Sequence, residues 1–349
     1  INVTKKGMNM FSAQIQKAHE FSRCEDRNQT AGYGEPLSPD QKTDEATREA
    51  ILHALWDDEI LRTMDYHEFD VRVKNRVVYL DGHIVNSSGQ NRIINAIETI
   101  PGVLEIRNNL ILDDKLTLEV AALLGQLEHV YRCKFFTGAS HGVVSINGIV
   151  DKENIKMLAE MCAASHPNVR GVINNLRVLG NDLQSPNQPF QQPTIGETIY
   201  FLDGVAGVVK QVILNPNNRR VIAMTVQGKP IDQQQETKSL ADGTSQSQER
   251  LIVIRMSTVR YITRISGLLR IGSKERNRYL DSDPSRFSPP SNDWTPPYPY
   301  CSEDVLIPIK YKNVADTQAE NEPQLLPFGA VLEDASVREQ YFATDSFGL

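Results

Sequence analysis

Val77-Val78-Tyr79-Leu80-Asp81-Gly82-His83-Ile84 is answered further along the chain by Val143-Val144-Ser145-Ile146-Asn147-Gly148-Ile149-Val150. The offset that carries Val77 to Val143 also carries Pro101-Gly102-Val103 to Pro167-Asn168-Val169, and Asn108-Asn109-Leu110 to Asn174-Asn175-Leu176. Three matches in one register, with no gap between them, signal duplication of a small α/β unit. The repeated residues are strand, turn and helix residues; none forms a catalytic motif.

The flanking sequence fills in each unit. A helix starting near Thr43 or Asp44, both good caps, runs through Ile51, Leu52, Leu55 and Trp56. Strands follow at 69–74 and 76–84. Asn86-Ser87-Ser88 caps a helix carrying Ile93, Ile94, Ile97 and Ile100. Pro101-Gly102 stops it before a third strand, 103–112. The second copy reads as a helix over 116–128, strands over 131–136 and 142–150, a helix capped by Asp151, and a strand over 169–179. Each unit is thus α-β-β-α-β, a three-stranded sheet with helices to cover one face. Gly82 and Gly148 occupy matched positions where a Cβ is expected to crowd a neighbouring backbone.

Downstream of a polar linker, 181–193, helical periodicity disappears. Strands are expected at 198–202, 207–214, 221–226, 251–254 and 259–265, with a turn at Asn215-Pro216-Asn217-Asn218 and a polar loop at 233–248. A small β-barrel is the natural reading. Phe287, Trp294, Tyr298 and Tyr300 lie among the prolines of 281–300. This stretch is expected to bind a partner in extended form or, more plainly, to be a strap across the barrel, because a strand at 305–311 must return to the fold.

The duplicated unit resembles the BON domain, on its element order, its strands at Val77–Gly82 and Val143–Gly148, and its last strands. Residues 194–272 resemble a PRC-barrel, on Ile195-Gly196, Leu202-Asp203-Gly204 and Gly207-Val208-Val209. The fold class is therefore α+β: two tandem α-β-β-α-β (BON-like) units at 45–113 and 114–180, then a PRC-barrel-like domain with its Pro/aromatic strap at 194–312. An N-terminal amphipathic segment and linker (1–44) and a C-terminal tail (313–349) extend from it. Neither family is catalytic. The resemblance implies a bacterial binding or assembly protein that docks onto itself or a larger complex, more in keeping with the envelope than with the cytoplasm. Its alternatives are a sensor for a cation such as potassium or for an anionic phospholipid headgroup, and an accessory that binds RNA. No enzyme activity and no cofactor are implied.

Composition agrees. The chain has 349 residues, 40% hydrophobic and 23% charged, with net charge −7. That suits a soluble globular protein with real cores and argues against a dedicated nucleic-acid binder. No apolar run reaches the roughly 20 residues of a membrane span. The chain opens at Ile1 rather than Met, which leaves a preceding leader undecided. Its four cysteines, Cys24, Cys133, Cys162 and Cys301, are scattered, so mostly free thiols are expected.

Candidate functional residues are few. There is no GxGxxG loop, P-loop, nucleophile elbow or His-Glu zinc motif. Cys133, His141, Cys162 and His166 lack the paired spacing of a zinc site, so no metal is expected. Arg255, Arg260, Arg264, Arg270 and Lys274 form a basic segment that is either a face for an anionic partner or a set of outward barrel residues. Phe11, Ile15 and Phe21 stripe one face of an N-terminal helix, for docking, for a membrane surface or for packing on the protein itself. Trp294, Tyr298 and Tyr300 are the other candidate docking residues. Gly82, Gly148, Gly204 and Gly207 are read as structural turn glycines.

Overall fold

The computed structural model describes residues 38–180, 189–228, 250–263, 266–275, 280–281 and 283–309. The N-terminal stripe of Phe11, Ile15 and Phe21, the 233–248 loop, Arg264 and the 313–349 tail lie outside the described residues. The chain divides into two compact units. The first holds both repeats together with Asn217–Arg220 and Ser291–Ser302. The second holds Gln191–Pro216, Val221–Pro290 and the chain from Glu303.

Repeat 1 comprises α1 (Pro39–Asp57), α2 (Glu59–Met64), β1 (Phe69–Lys74), β2 (Val77–Ile84), α3 (Ser87–Glu98) and β3 (Glu105–Leu112). Repeat 2 comprises α4 (Asp113–Tyr131), β4 (Lys134–Ser140), β5 (Val143–Val150), α5 (Glu153–Ala164) and β6 (Gly171–Val178). In each sheet the first two strands are antiparallel and the last two parallel, the second strand lying in the middle. The helix between the parallel strands is the crossover that a parallel pair requires.

Several boundaries differ from the sequence reading. α1 starts before Thr43, because Ser38 accepts from the Gln41 N–H and Gln41 returns the bond to the Ser38 N–H. This capping box, with Pro39 at the first helical position, sets the start. α4 runs to Tyr131 and stops on Arg132 in the left-handed conformation, so the next strand begins at Lys134 rather than Tyr131. Lys152, not Asp151, precedes α5.

The sequence offset survives in the hydrogen-bond ladder. Phe69 pairs with Gly82 and, at the matched position of repeat 2, Phe135 pairs with Gly148. Both glycines have positive φ, +136° and +148°. A Cβ at Gly82 would lie 2.5 Å from the Phe69 Cα, and one at Gly148 would lie 2.5 Å from the Lys134 carbonyl oxygen. No side chain fits either position.

Each sheet buries one face under its helices. Ile51 and Leu55 of α1 and Ile93 and Ile97 of α3 close over Val78, Leu80 and Ile84. Leu116, Val120 and Leu124 of α4 and Ile155 and Ala159 of α5 close over Val144, Ile146 and Val150. The apolar helix positions recur every three or four residues and the strand positions every two, as burial of one face demands.

Among the described residues the second unit forms a curled sheet of nine strands. Its elements are β7 (Thr198–Tyr200), β8 (Ala206–Leu214), β9 (Val221–Gly228), β10 (Arg250–Arg255), β11 (Val259–Ile262), β12 (Ser266–Leu269), β13 (Leu280–Asp281), β14 (Phe287–Ser288) and β15 (Val305–Pro308). β8 pairs with β7 over its first half and with β15 at Val212 and Ile213. Ile199, Val209, Met224, Ile254 and Leu269 fill the concave core. Phe287 and Leu306 pack on Ile213 and Val253. Gly204 sits in the turn before β8 with φ +82°, whereas Gly207, expected in a turn, lies within β8 opposite Ile199.

Two expectations are corrected. The Pro/aromatic segment Ser291–Ser302 packs with the repeats rather than forming a strap on the barrel, because its rings find cationic partners there. The thiols are not all free: Cys301 is disulfide-bonded, whereas Cys133 and Cys162 are free.

Candidate functional site

Asp65, His83, Asp113 and Arg170, among the polar residues that the first unit buries, collect where the two repeats meet. The chain passes from β3 into α4 without a linker, which makes Asp113 the first residue of that helix. Its carboxylate is 2% exposed and accepts the N–H groups of His141 and Gly142, the latter at 2.8 Å. His141 and Gly142 form the two-residue turn between β4 and β5, both with positive φ, 49° and 78°. Right-twisted hairpins favour such a turn, but it is strained for a non-glycine residue.

Repeat 1 contains the same device. Asn75 and Arg76, with φ 53° and 65°, turn between β1 and β2. Asp44 of α1 accepts both their N–H groups, at 2.7 and 2.9 Å. In each repeat, then, a carboxylate of the first helix holds the hairpin turn.

Arg170, immediately before β6, ties the repeats together. Its Nη1 donates to Glu68 of repeat 1 at 2.8 Å and to the His141 carbonyl at 2.9 Å. Its own N–H donates to the Gly142 carbonyl at 2.8 Å. The guanidinium lies 5.5 Å from the Tyr298 ring centre and 5.9 Å from that of Phe190. His83, 1% exposed, packs edge-on to Tyr298 with centroids 6.0 Å apart. A Cβ at Gly142 would come within 2.5 Å of the His83 ring and 2.8 Å of the Arg170 side chain, so the turn is pressed flat against both.

Charge is set by burial and pairing. Burial pushes the Asp113 carboxyl above its ordinary range, against the two N–H groups that hold it ionised. His141 is held above 6.5 chiefly by Asp65, whose Oδ1 lies 3.6 Å from its Nε2, with burial opposing. That same oxygen accepts the Val85 N–H at 2.9 Å. The seam therefore contains Asp65, Glu68 and Asp113 facing His141 and Arg170. Every one of these groups holds a turn, a strand end or the other repeat.

A second anchor fixes the Pro/aromatic segment. Arg219, 3% exposed, donates from Nη2 to the Thr295 carbonyl at 2.7 Å and stacks 5.0 Å from the Trp294 ring centre. Burial lowers its pKa to about 10, which leaves it protonated at neutral pH. Asn218, its neighbour, accepts the Val172 N–H at 2.9 Å, continuing the backbone of β6.

The structure distributes the sequence candidates as follows. Trp294, Tyr298 and Tyr300 are spent within the chain: Trp294 under Arg219, Tyr298 on His83 and Arg170, and Tyr300 fully buried. Trp294 and Tyr298 are half-buried and keep part of their surface exposed. Arg255 is half-buried at the end of β10. Arg260 on β11, Arg270 and Lys274 are exposed, and the Arg270 N–H donates to the Thr258 carbonyl at 2.7 Å. His141 and His166 have separate carboxylate partners, Asp65 and Glu119. Among the described residues, no three metal-ligating side chains converge. Burial raises the pKa of both Cys133 and Cys162, keeping them neutral thiols. Arg170, Glu68, His83, Asp113 and Arg219 escaped the sequence reading. The one signal for them was the pair of turns at matched positions of the two repeats, Asn75-Arg76 and His141-Gly142.

Comparison with known proteins agrees with the repeats. The BON domain model matches residues 43–114 and 138–180. The unmatched stretch between them contains most of α4. Among solved structures, CdsD, a structural protein of the type III secretion system of Chlamydia trachomatis, is similar at 16% identity with a TM-score of 0.31, over 38% of this chain and 60% of that one. A structure of the CdsD C-terminal domain is similar at 16% identity with a TM-score of 0.30, over 38% of this chain and 62% of the other. The chain thus spans less than two thirds of either structure. No curated protein matches it. No helix among the described residues is long and apolar enough to cross a membrane.

Proposed function

We propose that this chain is a non-enzymatic scaffold of the bacterial cell envelope, which docks onto itself or a larger complex through its BON repeats and its β-rich unit. One observation carries the reading. Charged groups that the first unit buries are spent on structure: Arg170 ties repeat 2 to Glu68 of repeat 1, and Asp113 holds the turn on which Arg170 rests. Groups so committed are poorly placed to move protons or attack a substrate. They do preset the geometry of two sheets, which lowers the entropic cost of binding a partner.

Two further observations support this reading. BON domains fit binding and assembly rather than catalysis, and the BON match covers repeat 1 and the later part of repeat 2. The disulfide at Cys301 fits an oxidising compartment such as the periplasm. The curled sheet of the second unit is read as a PRC-type barrel, a docking module, on its strand order and on the Leu202-Asp203-Gly204 turn before β8.

The test is native mass measurement of the purified full chain over a range of micromolar concentrations, with and without extract of the source cells. A defined oligomer or a stoichiometric complex is expected. A single-chain mass throughout, with nothing retained from the extract, sinks the reading.

A further inference from the structure

The outer faces of the two repeat sheets share one register but differ in chemistry. In repeat 1 the transverse rows run Glu68–His83–Ile111, Asp70–Asp81–Asn109 and Arg72–Tyr79–Arg107. In repeat 2 the rows at the matched positions run Lys134–Ile149–Arg177, Phe136–Asn147–Asn175 and Gly138–Ser145–Ile173.

The first face is satisfied by its own chain. Arg72 pairs with Asp81 at 2.7 Å, and Asn109 donates to the same carboxylate at 3.1 Å. Arg72 and Arg107 flank the Tyr79 ring at 5.6 and 5.4 Å. On the leading row, Arg170 neutralises Glu68 and Tyr298 covers His83. The occupant of that row is thus a charge opposite to the row's own, beside an aromatic ring carried on a turn that the Tyr300 N–H closes on the Pro297 carbonyl.

The second face has no aromatic cover from the described residues, and its one charge partner among them is Glu128 of α4, 3.5 Å from Lys134. Phe136 is 69% exposed and Ile149 51% exposed, on adjacent strands. With Lys134, Asn147, Asn175 and Arg177 they line a groove of about 490 Å³. The Asn175 side-chain N–H donates to Asn147 Oδ1 at 3.2 Å, but the Asn175 Oδ1 is buried and accepts no hydrogen bond among the described residues. Two apolar side chains this exposed, bordered by polar groups, mark an interaction surface. The leading row also has its charge inverted: Lys134 replaces Glu68 and Arg177 replaces Ile111. No carboxylate lines the groove, so a second copy of the same face would meet it cation to cation.

We infer that the outer face of the second sheet docks a segment of a partner protein that presents an aromatic side chain flanked by carboxylates. The ring lies over Ile149 and Phe136, as Tyr298 lies over His83, and the carboxylates meet Lys134 and Arg177. This inference rests on the scaffold reading and names the chemistry of one partner.

The test uses the full chain and two fluorescein-labelled peptides, Gly-Asp-Tyr-Pro-Tyr-Asp-Gly and the same peptide with Lys in place of Asp, read by anisotropy. The acidic peptide is expected to bind and the basic one not. The double reversal Lys134→Glu/Arg177→Glu should weaken the acidic peptide by about tenfold or more and transfer binding to the basic one. Phe136→Ser, which leaves the charges alone, should weaken the acidic peptide as well and serves if the double variant folds poorly. Equal binding of both peptides, binding of neither up to millimolar concentration, or acidic-peptide binding unmoved by these changes overturns the inference. So does a sedimentation dimer that Lys134→Glu/Arg177→Glu disperses, which would assign the groove to a second copy. A native mass showing an assembly while the peptides fail removes the groove alone; peptide binding by a chain that never assembles removes the scaffold reading instead.

Discussion

Arg170 and Glu68, far apart in sequence and in different repeats, meet at 2.8 Å through one guanidinium nitrogen that also reaches the His141 carbonyl. Their side chains are 10% and 31% exposed, so the pair is partly shielded from water. Removing one partner leaves the other's charge and the carbonyl poorly solvated, whereas neutralising both is far milder. Arg170→Met is expected to cost about 2–4 kcal/mol in urea denaturation, and Glu68→Gln about 1 kcal/mol. The double variant should recover about 1–2 kcal/mol of that total. Strictly additive losses would mean that the repeats are not coupled through this pair.

The matched glycines lead to a second expectation, with an internal control. Gly82→Ala and Gly148→Ala each place a methyl 2.5 Å from backbone at positive φ, so each should cost about 2–3 kcal/mol or more. Gly125, in α4, has nothing within 4 Å of its added Cβ. Gly125→Ala should stabilise by about 0.5–1 kcal/mol through helix propensity. Thermal midpoints of the three variants decide the matter: similar shifts for Gly125→Ala and Gly148→Ala would contradict the close approach.

Much of this fold is legible because the repeat is written in residues with a local reason to be where they are. Val77–Ile84 and Val143–Val150 alternate with a period of two, and Gly82 and Gly148 mark the tight strand crossing, so the ladder keeps the offset seen in the sequence. The seam is not legible in that way. Glu68 and Arg170 lie in different repeats and occupy no matched position, and an ion pair leaves no periodicity. The turn-holding aspartates are hidden for a different reason. Asp44 and Asp113 fall outside the offset that carries Val77 to Val143, because repeat 1 breaks its first helix at Asp58 where repeat 2 runs continuously. Asp58 caps α2 through the Ile60 and Leu61 N–H groups and also holds Arg92 at 2.9 Å, so the break is itself built in. Tyr298 and Trp294 were legible as a segment in need of grooves, but the choice of groove rests on Arg170 and Arg219, which composition does not distinguish from other arginines.

The two aspartates should differ in weight. Asp113 is buried and serves two N–H groups of a turn packed against His83 and Arg170; Asp44 serves an exposed turn. Asp113→Ala leaves those N–H groups unpaired in a dry site and should cost about 2–4 kcal/mol. Asp44→Ala admits water to the Asn75 and Arg76 N–H groups and should cost about 1 kcal/mol or less. Hydrogen exchange at residues 141 and 142 offers a direct check: protection there should fall in Asp113→Ala and persist in Asp44→Ala.

His141 makes folding depend on pH in a direction that can be worked out. Asp65 raises its folded-state pKa above 6.5, the ordinary value, with Glu68 and Asp113 acting in the same sense. A raised histidine binds its proton more tightly when folded, so its contribution is complete below 6.5 and is lost as pH rises through the folded value. His166 runs the other way: burial lowers its pKa, so its contribution holds above 6.5 and is lost as pH falls below it. The two are separated by substitution. His141→Gln should destabilise by about 1 kcal/mol at pH 6, and the deficit should shrink on the alkaline side, because only the charged imidazole gains from the Asp65 and Glu68 carboxylates. Asp113, raised from 3.8 by burial, adds a separate contribution that grows as the solution is acidified. Thermal midpoints of wild type and His141→Gln between pH 5 and pH 9 provide the comparison. A gap that is constant across this range, or that widens with pH, would show that His141 is held as a neutral ring and that the positive charge of the seam rests on Arg170 alone.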